Sequence, residues 1–97
     1  MADVKVLYVV EQFEHERGWG VRPEGFQCFL TEADADEYIR AENAAEVASN
    51  PSGHAPDCYW TTKKIGYREA HAKRLAEVKA SKLKRIYVDR VNELLTP

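Results

Sequence analysis

The segment Val4 to Phe13, VKVLYVVEQF, alternates as a strand does. Val4, Val6, Tyr8 and Val10 fall on one face, Leu7 and Val9 on the other. β-branched and aromatic residues dominate it, and both faces are apolar in its middle, which predicts a strand inside a sheet rather than at its edge. Glu14 to Gly25 holds three glycines and one proline and reads as a long connection, part of which extends the flanking strands. Phe26 to Leu30, FQCFL, predicts a second strand with Phe26, Cys28 and Leu30 on one face.

Thr31 then stops the strand and starts a helix. Thr31 is placed as N-cap with Asp34 three residues on, and the acids Glu32, Asp34, Asp36 and Glu37 crowd the first turns, where the helix dipole favours negative charge. The helix is expected from about Glu32 to Ala48, with Tyr38, Ile39, Ala45 and Ala48 as its buried stripe. Ser49 to Asp57, SNPSGHAPD, is a loop. Cys58 to Ile65 predicts a third strand ended by Gly66, with Trp60 in the core. From Tyr67 to Leu95 apolar residues recur at steps of three and four without glycine or proline. That spacing predicts one long helix, or two with a kink near Ser81. Within it, Arg85 to Val91, RIYVDRV, also fits a short strand.

The expected order is β-β-α-β-α: a single α+β domain over residues 1–97, with a small three-stranded antiparallel sheet carrying helices on one face. A length of 97 residues suits one modest core, and 44% hydrophobic with 31% charged residues is a globular balance. The longest apolar run, Val6 to Val10, is far below the ~20 residues of a membrane-spanning helix, and Met1 to Lys5 lacks the features of a secretory signal. The expectation is a cytoplasmic protein with no membrane partner. In that compartment Cys28 and Cys58 are expected as free thiols.

Net charge is −2, but its distribution is uneven. Residues 1–57 hold twelve acids and four bases, a balance of −8; residues 58–97 hold ten bases and four acids, a balance of +6. If the C-terminal segment were helical, Lys79, Lys82 and Arg85 would share one face with Lys84 flanking them, a stripe that is either a solvated helix face, an answer to an acidic surface on a partner, or a surface able to meet phosphates. Opposite charges on the two halves also make a homodimer possible.

Motifs with a catalytic mechanism are missing. No nucleophile elbow, phosphate loop or zincin signature occurs. His15, His54, His71, Cys28 and Cys58 lack the close-paired spacing of a zinc site; His54 and Cys58 form the one near pair, and Cys28 could approach Cys58 only if their strands neighbour. The expectation is therefore no enzyme, no metal and no cofactor. Trp19, between two glycines and flanked by Arg17 and Arg22, combines the residue types most enriched at binding hot spots, or else folds back over the core.

The opening strand VKVLYVVEQF, the run FQCFLTEADADEYI from strand into acid-started helix and the charged C-terminal segment together resemble, in layout, small accessory proteins of phages and prophages. Some of those inhibit host defences, CRISPR systems included, by binding a host protein. The resemblance implies a non-catalytic protein that docks on a larger protein or ribonucleoprotein and inhibits it. The resemblance carries no residue role with it; the residues' own chemistry marks Arg17, Trp19, Arg22, Glu32, Asp34, Asp36 and Glu37 as candidates for docking, the acids (with Glu42) imitating phosphate charge. The alternative is a nucleic-acid binder using Lys79, Lys82, Lys84 and Arg85.

Overall fold

A computed structural model of the chain describes residues 5–16, 20–49 and 58–97. Four strands, β1 (Val6–Glu16), β2 (Gly20–Phe29), β3 (Cys58–Glu69) and β4 (Arg85–Val88), form one antiparallel sheet in the order β3-β1-β2-β4. Helix α1 (Glu32–Ser49) follows β2, helix α2 (Ala72–Ala80) follows β3, and a 3₁₀ helix, Val91–Leu95, follows β4. The fold is α+β as the sequence suggests, with a fourth strand.

The apolar middle of β1 explains its place inside the sheet. Val9 and Val10, successive residues on opposite faces, are both fully buried; on β2, Cys28 opposite Val9 is fully buried and Phe29 opposite Tyr8 is nearly so. Leu7, Val9, Cys28 and Val88 pack with Leu75 and Val78 of α2 and Leu94 of the 3₁₀ helix. On the reverse face, Val10 and Phe29 pack with Ala35 and Tyr38 of α1. The helices therefore cover both faces of the sheet, not one.

The C-terminal segment departs most from its helical period. Helix α2 starts at His71, whose Nδ1 accepts from the Lys73 N–H at 3.1 Å, and stops at Ser81, whose N–H still reaches Glu77 and Val78. Lys84 turns the chain at φ 57°, and Arg85–Val88 then pairs with Phe26–Phe29. β-branched Ile86 and Val88 alternate into the core, so an open β2 edge outcompetes helix propensity. The alternative strand at this position is the one that forms. Beyond it, the Arg74 guanidinium donates from Nε to the carbonyls of Glu93 and Thr96 at 3.2 and 3.1 Å, tying the 3₁₀ helix to α2.

Three local expectations change as well. Gly66 does not end β3: at φ +102° it sits in a bulge where the pairing slips between Val9 and Val10, and the strand continues to Glu69. Trp60 is 39% exposed rather than core. The first half of α1 docks as expected, with the Asp34 N–H on Thr31 Oγ1 at 3.1 Å, but Ala45 and Ala48 are exposed. Among the described residues no helix is long and apolar enough to cross a membrane.

Candidate functional site

Strands β1, β2 and β3 run for 11, 10 and 12 residues, about twice the usual strand. Pairing continues to Glu16 opposite Gly20 and Cys58. β4, by contrast, reaches only Phe26–Phe29. The far ends of the three long strands thus form an arm, and the molecule measures 53 Å along its length against 24 and 20 Å across. A second bulge sits in the arm, between Glu11 and Phe13, with Gly25 at φ +106°. Pro23 lies in the stretch of β2 that β4 does not reach, where a missing N–H is tolerated.

On the face that α2 covers further along, the arm carries a shallow groove of about 390 Å³ lined by Phe13, His15, Val21, Thr61 and Lys63. All five come from strands. Phe13 pairs with Thr61, and His15 with Val21, so strand alternation alone sets these side chains on one face. His15 Nε2 lies 2.7 Å from Thr61 Oγ1, which links β1 to β3 across the groove floor. Val21 remains 56% exposed. Apolar Phe13 on central β1 and Val21 on β2, the outer strand there, lie beside the polar groups of His15, Thr61 and Lys63, so the groove offers both apolar contact and hydrogen-bonding groups. Sequence reasoning did not single out this set. The signal was the unbroken period of two through Phe13 and His15 and through Thr61 and Lys63.

The expected docking residues are scattered. Arg17 and Trp19, which join β1 to β2, lie outside the described residues, as does His54. Arg22 falls on β2 opposite Glu14. Glu32 and Asp36 answer a cation of the same molecule: Lys64 Nζ is 2.7 Å from Asp36 Oδ1 and 3.6 Å from Glu32 Oε1, and the hydrogen bond to Asp36 holds the Lys64 ammonium above its ordinary pKa. Asp34 and Glu37 belong to a second concavity.

That second concavity is a cleft of about 330 Å³ between α1 and the turn joining α2 to β4, on the opposite face of the sheet from the groove. Asp34, Glu37 and Glu42 line its α1 wall, and Lys84 and Arg85 the other. Phe29 and Tyr38 make the floor. The Arg85 guanidinium lies 4.7 Å from the Tyr38 ring centroid, a cation–π geometry. The Tyr38 hydroxyl accepts from Gln12 Nε2 at 2.9 Å; burial, assisted by the Glu42 charge, pushes its pKa up against the pull of Arg85. The proposed basic stripe is accordingly not a helical face. Lys79 sits in the last turn of α2, Lys82 and Lys84 in the turn, and Arg85 on β4. Lys84 Nζ donates to the Lys79 carbonyl at 2.9 Å, closing the helix end.

The described histidines and cysteine carry structural contacts. His71 caps α2 and His15 meets Thr61. Cys28 is a free, fully buried thiol whose pKa burial pushes up to about 12. Cys28 and Cys58 do not neighbour: β1 separates their strands, with Cys28 opposite Val9 and Cys58 opposite Glu16. Among the described residues no group of three metal-ligating side chains converges. No protein-family profile, curated protein or solved structure matches the chain.

Proposed function

We propose that this is a non-catalytic binding protein that docks on a larger macromolecular partner, and blocks it, through the projecting β arm. The observation that carries the reading is the groove of Phe13, His15, Val21, Thr61 and Lys63, built entirely from strands and left open beyond the helix-covered core. A fold that needed only its own stability gains little from extending three strands past their cover. Apolar side chains on that extension keep contact with water that a partner surface would remove. The arm also carries Arg22 and joins its first two strands through Arg17 and Trp19, so the residue types that anchor interfaces belong to the same hairpin.

Site-specific photocrosslinking tests this. A crosslinking side chain in place of Val21 captures one defined partner from lysate of the cells in which the protein acts, whereas the same group at exposed Val47 of α1 does not. Equal, diffuse capture from both positions would remove the arm as the docking element.

A further inference from the structure

We infer that the protein pairs with a second copy of itself across the cleft between α1 and the α2–β4 turn, on a two-fold axis running along that cleft. The inference does not depend on the groove of the arm, which lies on the opposite face of the sheet.

The charge layout is what selects a second copy as occupant. One wall is acidic, with Asp34, Glu37 and Glu42; the other is basic, with Lys84 and Arg85. Among the described residues no ion pair joins the two walls; Lys64, which pairs with Asp36 and Glu32, lines neither. A two-fold rotation about the cleft line lays the acidic wall of each copy on the basic wall of the other. A partner of one sign would answer one wall and repel the other, whereas this surface is complementary to itself.

The apolar features fit the same arrangement. Leu83 stands at the rim, between Lys82 and Lys84, and is 66% exposed. The turn that presents it is fixed by three contacts: the Leu83 N–H on Ser81 Oγ at 3.2 Å, the Lys84 N–H on the Ser81 carbonyl at 3.2 Å, and the Lys84 ammonium on the Lys79 carbonyl. Across the cleft, Ala41 lines the α1 wall between the acids, and Ala45 and Ala48 continue its row one and two turns on, exposed. Small side chains leave room there for the partner's Leu83. The same row is the part of α1's apolar stripe that its own sheet does not cover. A net charge of −2 leaves little general repulsion to oppose pairing.

Sedimentation equilibrium over a range of protein concentrations, at low and at high salt, tests the inference. The native chain is expected to reach twice its monomer mass at low salt and to dissociate as salt screens the opposed walls. Glu37→Lys and Lys84→Glu are each expected to remain monomeric, and an equimolar mixture of the two to recover the dimer, because the two-fold sets one reversed charge against the other. Ala41→Lys, at an exposed helical position, is an independent probe that spares the Lys84 contact and sets a long cation against the partner's basic wall and Leu83; it is expected to weaken self-association at least about tenfold with an unchanged circular dichroism spectrum. A native chain that stays monomeric at every concentration and salt, or a dimer that Ala41→Lys leaves intact, would overturn the inference. So would a mixture of two folded charge variants that pairs no better than either alone.

Discussion

Tyr87 lies where a side chain at position 25 would have to go. Its hydroxyl donates to the Glu24 carbonyl at 3.0 Å or to Asp89 Oδ1 at 2.7 Å, and its ring would collide with a Cβ built on Gly25. Gly25 also holds φ +106°, a conformation that costs a residue with a Cβ about 1–3 kcal/mol. The pair joins the bulge at the root of the arm to edge strand β4. Gly25→Ala is therefore expected to lower stability by at least that amount, read as a shift of the urea midpoint. Gly20→Ala, at φ +88° but with nothing near its Cβ, is expected to cost less.

The C-terminal 3₁₀ helix is part of the core. Leu94 is fully buried against the sheet, and its carbonyl accepts the His71 N–H at 2.7 Å. Leu94→Ala is expected to cost about 2–5 kcal/mol in equilibrium unfolding. Exposed Leu95→Ala is expected to stay within about 0.5 kcal/mol. Equal losses at the two positions would contradict the packing described.

Cys28 should be chemically silent while the protein is folded. With Cys58→Ser removing the other thiol, its reaction with a disulfide reagent at pH 8 is expected to proceed only as fast as the chain opens, and to become immediate in denaturant. The linkage follows from a thiol moved from 9.0 to about 12. Below pH 9 both folded and unfolded states hold the proton and nothing changes. Above pH 9 the unfolded state releases it first, so stability falls as pH climbs toward 12. Cys28→Ala is expected to reduce the alkaline slope, leaving the part that Tyr38, Tyr87 and Lys64, all raised in the fold, contribute with the same sign.

The acids of α1 separate into two roles. Asp36 and Glu32 are engaged by Lys64, whereas Asp34 and Glu37 face the cleft. Asp36→Lys sets a second cation against Lys64 and is expected to lower the thermal midpoint. Asp34→Asn with Glu37→Gln, compared with the native chain at high salt where both are monomeric, is expected to leave it nearly unchanged. Phosphate imitation by this helix is thus tested by the second pair of changes, since the first also perturbs the fold.

The sequence made some elements legible and hid others for definable reasons. β1's interior place was readable because Leu7 and Val9, and Tyr8 and Val10, make both faces apolar. α1 was readable at its start because Thr31 and the following acids are local signals. Its second half misled, since Ala45 and Ala48 carry the helical period without a surface of this chain to meet. The C-terminal segment misled because Leu75, Leu83, Ile86 and Leu94 satisfy a helical spacing, while the deciding factor, the unpaired edge of β2 at Phe26–Phe29, is non-local. Charge showed two unlike halves, but only the fold brings Asp34 and Glu37 opposite Lys84 and Arg85. The arm's groove escaped notice because glycines and Pro23 marked its β2 side as a loop, although they occupy bulge and edge positions of a continuous strand.

The arm as docking element is tested most directly by comparing affinity capture with the native chain and with Val21→Asp, quantified by mass spectrometry, both proteins having matched circular dichroism and thermal midpoints. The account predicts a partner that the native chain retains and that Val21→Asp loses by at least about tenfold, as expected of a charge replacing an exposed apolar contact residue of an interface. The same partner retained equally by both chains would contradict it.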